Sequence, residues 1–368
     1  MSKLKNAYKW YIKQVEISAK EKELRGYKRL YSSVKLTPAQ EREIHGIWKE
    51  NYGRKISLNW HRLYQSFYHN SIGGGYNKYY FPEHIFETEL IHILNPRGLK
   101  NCLAEKSLME FYFSGIGQVK TPKTVLMNCN GYYYNADRRI ITRERAKSIL
   151  QTAGDIVVKP SIDSSSGRLV LFFNFTNQQG DNKLITNPCD LLDYYKQNFI
   201  VQERIIQHPS LAKLHDSSVN TIRINTYILD FAVYNSPIAM RIGCGNNRTD
   251  NLHAGGISVG IDIEGALKSV AFTKNQRIYY KHPDSEVSFE GYRIPKISHM
   301  VEKAKELHGR IPHVGIIAWD MTLDDNENIV VIECNLSYPG IWFPQALNGE
   351  SFFGENTPKM IAMCRKCN

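Results

Sequence analysis

The order of apolar and polar positions divides the chain into three textures. Over roughly the first 70 residues, apolar and aromatic side chains recur at helical spacing (Tyr8, Tyr11, Ile12, Val15, Ile17) among many lysines and glutamates, and Pro38 suits the first turn of a second helix. Helical periodicity stops at the turn-rich stretch SIGGGYNKYYFPEH (71–84), which marks a boundary. From about 85 to 155, helix-like segments (LAEKSLMEFYFSGIG, RERAKSILQTAG) alternate with short strand-like ones (TVLMN, YYYN), the pattern of a small α/β lobe. Beyond 155 come β-rich runs bounded by Gly, Asn, Asp and Pro: DIVVKP, RLVLFFNF, FIVQERII, TIRINTYILD, IAMRIG, GISVGID, GIIAWDMTL and NIVVIECN. These predict an antiparallel-rich domain of many strands. The expectation is an α+β protein with a helical N-terminal region (1–80), a small α/β lobe (81–155) and a principal domain (156–368).

Composition narrows the class. A chain of 368 residues exceeds one small core, and 42% hydrophobic and 23% charged residues, with 22 tyrosines and 15 phenylalanines, describe a globular protein and not a disordered one. No stretch approaches the roughly 18 consecutive apolar residues of a membrane helix, and the N-terminus lacks the apolar core of a secretory signal, so the expected location is the cytoplasm. The seven cysteines are scattered and odd in number, as for reduced thiols, and Cys364-x-x-Cys367 is half of a zinc pattern with no second pair. A formal charge of +11 makes polyanions suitable partners: a nucleotide with an acidic substrate, a membrane surface, or nucleic acid. No nucleic-acid signature accompanies the charge, so no nucleic acid is expected. The basic run Lys20, Lys22, Arg25, Lys28, Arg29 reads first as a solvated helix face, with peripheral association at a membrane as the alternative.

The most informative constellation lies near the C-terminus: Trp319-Asp320-Met321, the turn DDNEN, then Ile329-Val-Val-Ile332-Glu333-Cys334-Asn335. Two strands joined by a polar turn form a hairpin that sets Asp320 against Glu333, and alternation points Glu333 and Asn335 to one face. Three oxygen donors then converge, which is what Mg²⁺ takes: a hard cation held by one or two carboxylates together with substrate phosphates. Glu333 follows four apolar residues, where an unpaired buried carboxylate would be costly, and this favours a metal over a solvated acid. Upstream, Lys159 ends the apolar strand DIVVK and precedes the Ser/Gly turn Ser164-Ser165-Ser166-Gly167, whose amides can cradle phosphate beside the lysine's point charge. On its own this is also the pattern of an ordinary surface hairpin. Arg223 in NTIRINT and Arg241 in AMRIG lie on strands amid apolar neighbours, so each needs an anionic partner, either a structural carboxylate or a phosphate or substrate carboxylate.

Taken together, Lys106 in a helix, VVKP with its Ser/Gly loop, VQERI, and the paired AWDMTL and VVIECN resemble the ATP-grasp superfamily. VNTIRINTYIL and HAGGISVGID further resemble its sugar-transfer-associated members, which are related to α-L-glutamate ligases. The resemblance covers about residues 85 to 350 and leaves the first 80 without a counterpart. It implies an ATP-grasp fold, with a two-part grasp domain that holds ATP between its sheets. It implies ATP and Mg²⁺ as cofactors, and an acyl phosphate that a nucleophile attacks. It implies that Lys106 and Lys159 contact phosphates, that Ser164 to Gly167 cover them, and that Gln202, Glu203 and Ile205 form the hinge at adenine. Asp320, Glu333 and Asn335 become Mg²⁺ ligands. The enzyme expected is an ATP-dependent carboxylate–amine ligase whose partners are a small-molecule or saccharide carboxylate and an amine, in surface polysaccharide synthesis. D-alanine:D-alanine ligase-like enzymes carry an arginine two residues before the metal aspartate, where this chain has Ala318, so Arg241 and Arg223 become the candidates for stabilising the tetrahedral intermediate. A phosphotransferase on the same fold and a basic noncatalytic scaffold are the rival readings.

Overall fold

The structure is a computed structural model, and it describes residues 2–67, 75–96, 98, 103–113, 115, 117, 119–162 and 169–365. The expected first-turn role of Pro38 is met in the helix Pro38–Tyr52. Its N-cap Thr37 accepts from the Gln40 amide while the Gln40 side chain accepts from the Thr37 amide. This reciprocal cap satisfies two donors that a helix start otherwise leaves without partners. The helix ends at Gly53, whose φ of 92° lies in the left-handed region that glycine adopts without strain. Its buried Ile44, Trp48 and Tyr52 pack with Phe81, Phe86, Phe353 and Ile361, so the N-terminal helices share a core with the end of the chain.

Two sheets carry the rest. The larger, of nine strands, runs in the order Val119–Lys120, Ile329–Asn335, Ile316–Leu323, Thr221–Leu229, Ile238–Ile242, Ile257–Ile261, Leu267–Phe272 and Ile278–Tyr279, with Ala232–Asn235 paired onto Thr221–Leu229. The smaller, of seven, runs Ile140–Ile141, Tyr132–Asn135, Thr124–Cys129, Phe199–Glu203, Ile156–Pro160, Leu171–Asn174 and Gln179–Gly180. The boundary drawn from the sequence at residue 155 crosses this small sheet. Phe199–Glu203 lies between Thr124–Cys129 and Ile156–Pro160 and bonds to both. Pairings between strands so far apart in the chain leave no trace in local periodicity.

Alternation explains how the large sheet divides its labour. Ile222, Ile224, Met240, Ile242, Trp319 and Met321 belong to one fully buried cluster, together with Met300, Val301, Ala304 and Leu307 of the helix Ile297–Gly309. Each of the Ile, Met, Val and Leu side chains contributes about 1.5–3 kcal/mol by leaving water. Because side chains alternate, Arg223, Arg241 and Asp320 fall on the opposite face.

Candidate functional site

The face opposite that helix looks toward the small sheet across a cavity of about 920 Å³. The register of the large sheet assembles its polar lining. Asp320 sits directly opposite Glu333 on one side and Arg223 on the other, and Arg241 sits opposite Thr221 and Ser258. Residues directly opposite in an antiparallel pair share a face. A bulge between Asp320 and Met321, where Val331 and not Ile332 pairs with Met321, resets the alternation just before the acidic pair. The hairpin expected between Asp320 and Glu333 is therefore present, with Asn335 beside it.

The chemistry of the three acceptors differs from their equal treatment in the sequence. Asp320 is the buried one, with a side chain 1% exposed, whereas that of Glu333 is 30% exposed. The apolar run before Glu333 thus does not bury it, because the strand emerges into the cavity at that point. Asp320 accepts from Arg223 Nε at 2.5 Å and Nη2 at 3.0 Å, from Arg241 Nη2 at 2.9 Å and from Asn335 Nδ2 at 3.2 Å. Burial would raise its pKa, but the two guanidinium groups prevail and hold it well below the usual carboxylate range. Glu333 lies 3.6 Å from Lys106 Nζ and accepts from Asn335 Nδ2 at 3.3 Å. Beneath them, fully buried Asn95 staples the hairpin ends. It donates to the carbonyls of Ile316 and Leu336 at 2.7 and 2.8 Å and accepts from the amides of Gly315 and Ile316.

The small sheet supplies the other wall. Ile156 and Val158 turn into its core while Val157 and Lys159 face the cavity beside Phe172 and Gln202, with Val157 in register with both. Lys159 is buried, and its pKa is lowered to about 8 by desolvation and by Lys106, against the pull of Glu333 and Asp320. Among the described residues no carboxylate lies within ion-pair distance of it. Lys106 opens the helix Lys106–Phe113, and its amide bonds to Ser161 O at 3.0 Å, which pins the helix start to the end of the Lys159 strand. At the expected hinge, Gln202 Nε2 donates to Pro122 O at 3.1 Å, while Glu203 is exposed and paired with Lys123 at 2.6 Å.

All the expected site residues within the described chain line this one cavity: Lys106, Lys159, Gln202, Glu203, Ile205, Arg223, Arg241, Asp320, Glu333 and Asn335. Ser164, Ser165, Ser166 and Gly167 lie outside the described residues. The partner that Arg223 and Arg241 required is a structural carboxylate, Asp320. The same inventory separates the two arginines. Arg223 bonds through Nε, Nη1 (to Pro339 O at 3.1 Å) and Nη2, whereas Arg241 Nη1 has no partner among the described residues. Thr221 and Asp250, which also touch Arg241, were not singled out from the sequence. The donor set Asp320, Glu333 and Asn335 is all oxygen, with two ionisable carboxylates, and suits Mg²⁺. Cys364 is buried within the C-terminal helix and Cys367 lies outside the described residues. No helix among the described residues is long and apolar enough to cross a membrane.

A family model described as sugar-transfer associated ATP-grasp matches residues 85–359. No curated protein matches. Among solved structures, the chain is similar to an N5-carboxyaminoimidazole ribonucleotide synthetase in its ADP complex, with 12% identity, 64% of this chain and 44% of that one covered, and a TM-score of 0.34. It is similar to D-alanyl-alanine synthetase A from Vibrio cholerae O1, with 13% identity, 72% and 64% covered, and a TM-score of 0.41. It is also similar to a D-cycloserine synthetase, with 12% identity, 74% and 72% covered, and a TM-score of 0.40. The chain spans less than two thirds of the length of the first two.

Proposed function

Because the chain belongs to the sugar-transfer associated ATP-grasp family, we propose that it is an ATP- and Mg²⁺-dependent ligase that converts a carboxylate to an acyl phosphate and joins it to an amine. The carboxylate we assign is a saccharide one, such as a uronic acid, in the synthesis or modification of bacterial surface polysaccharide. The observation that carries the ligase reading is the meeting of two lysines, two arginines and three oxygen donors in one cavity between the sheets. Such a site matches a reaction that must neutralise a transferring phosphoryl group and keep water from a reactive acyl phosphate.

Asp320, Glu333 and Asn335 would hold Mg²⁺, which would supply charge neutralisation for the phosphoryl group. Lys159, buried and without a carboxylate partner among the described residues, takes the phosphoryl oxygens from the small-sheet side, and Lys106 takes them from beside Glu333. Val157, Phe172 and Ile205 offer apolar surface for the adenine, with Gln202 and Glu203 at the edge. Arg223 and Arg241 keep Asp320 ionised. Arg241, with Nη1 free of partners among the described residues, is the donor we assign to the oxyanion that forms when the nucleophile attacks, the task left open by Ala318.

The test is incubation of the protein with MgATP, hydroxylamine and a panel of carboxylates that includes uronic acids. Formation of an acyl hydroxamate together with ADP is the expected result. A stable phosphorylated product without hydroxamate would replace the ligase by a phosphotransferase.

A further inference from the structure

The ligation scheme gives no task to the carboxylate of Asp250, on the loop between Ile238–Ile242 and Ile257–Ile261. Its side chain is 12% exposed and lines the cavity. Oδ2 accepts from the Thr221 amide at 3.1 Å and from the Thr221 hydroxyl, and it lies 3.5 Å from Arg241 Nε. Oδ1 has no partner among the described residues. The loop behind it is fixed. Asn251 accepts from the His253 amide at 2.8 Å, and at Gly256 a side chain would meet Asp250 O at 2.7 Å, closer than atoms pack. Arg248 reaches the small sheet, 3.3 Å from Asp181 and over the Phe172 ring, so the loop ties the two walls together.

Arg241 measures the distance from this carboxylate to the reacting end. Its Nε faces Asp250 and its Nη2 bonds to Asp320, so the two acids stand one guanidinium apart. Asp320 has two arginines and Glu333 has Lys106, whereas the one ion-pair contact of Asp250 among the described residues is Nε of Arg241, a guanidinium it shares with Asp320. A buried carboxylate with an open oxygen is best completed by a cationic N–H donor, because a neutral hydroxyl leaves its charge uncompensated. Burial pushes its carboxyl above the ordinary range, against the pull of Arg241 and Thr221, which makes an arriving cation more stabilising still.

We infer that Asp250 holds the ammonium group of the second substrate, which is therefore a primary amine and not an alcohol. This rests on the ligase reading above. Asp250 is a binding residue that sets the amine beside the acyl phosphate. One proton first leaves the ammonium for phosphate or solvent. The neutral amine then attacks, forming the C–N bond and breaking the acyl C–O bond to release phosphate, and the nitrogen loses a second proton to solvent.

The experiment measures ADP release with MgATP and the carboxylate panel, adding primary amines (α-amino acids, amino sugars) and their matched alcohols, for wild type, Asp250→Asn and Asp250→Glu, with melting curves to establish folding. The expected result is stimulation by an amine and not by its alcohol. The KM for that amine should rise at least tenfold more than the KM for ATP in Asp250→Asn, and Asp250→Glu should recover part of the loss. An unchanged amine KM in folded Asp250→Asn, or stimulation by alcohols, overturns the assignment. Hydroxamate formation with no response to any amine overturns it too, while leaving the ligase standing, and absence of hydroxamate removes both.

Discussion

The two walls of the cavity treat buried charge in opposite ways. The large sheet buries Asp320 and surrounds it with two guanidinium groups and an amide, so this one carboxylate is charge-compensated among the described residues. The small sheet buries Lys159 with another cation nearby and no carboxylate at contact distance among the described residues. A satisfied cluster serves geometry, because its members hold one another in register. An unsatisfied one stores a cost that an anionic ligand removes, which is why perturbed groups mark functional sites. The Asp320 cluster is accordingly the frame, and Lys159 is where, on the proposed function, a polyphosphate would be drawn in.

The largest expected effect comes from breaking the frame. Asp320→Asn removes the buried anion between two half-buried guanidinium groups, and loss of one partner of a buried ionic cluster costs about 3–5 kcal/mol. The urea midpoint should fall accordingly, and an unchanged midpoint would mean the cluster is not a structural unit. The second effect inverts the sign. Lys159 titrates at about 8 when folded and near 10.5 when unfolded. The folded chain therefore carries the full penalty below pH 8 and sheds it as pH rises from 8 to 10.5, because the unfolded chain holds the proton longer. The difference is on the order of 3 kcal/mol. Lys159→Met should be more stable than wild type at pH 7, and this advantage should vanish by pH 10.5. A constant advantage would show that Lys159 is not buried uncompensated. MgATP should also raise the lysine's pKa, so binding near pH 9 should take up protons, read as a dependence of the calorimetric heat on buffer. The smallest effect is expected at the exposed pair Lys123–Glu203, where Lys123→Ala should change stability by no more than about 1 kcal/mol.

How far the sequence disclosed this arrangement follows from chain distance. Glu333 and Asn335 were legible as sharing a face by alternation, and Asp320 as lying across the same short hairpin, whereas the bulge that brings Glu333 opposite Asp320 was not. Lys159 was legible as a cation ending an apolar strand. The arginines were recognised as needing anions, but their partner was not, since Arg223 and Asp320 are 97 residues apart and meet only through strand pairing. Glu333 was expected to be the buried acid and Asp320 was not distinguished from it. A strand's apolar run does not say where the strand emerges into a cavity. Asp250 and Thr221 escaped because a loop has no periodicity to read. The one signal was Arg241 itself, a strand arginine that required an acid within the same domain. The strands of the small sheet were named, but their pairing across residue 155 was not foreseen for a related reason, its neighbours being far apart in the chain.

On the proposed function, MgATP enters the cavity against Lys159 of the small sheet, which has no carboxylate partner among the described residues. Calorimetric titration of MgATP into wild type and Lys159→Ala, each with and without Mg²⁺, tests it most directly. Mg²⁺-dependent binding that weakens at least tenfold in a folded Lys159→Ala protein is expected, the loss of one charge-assisted contact worth about 1.5–3 kcal/mol. Equal affinity in the two proteins, or no binding by folded wild type, would contradict it.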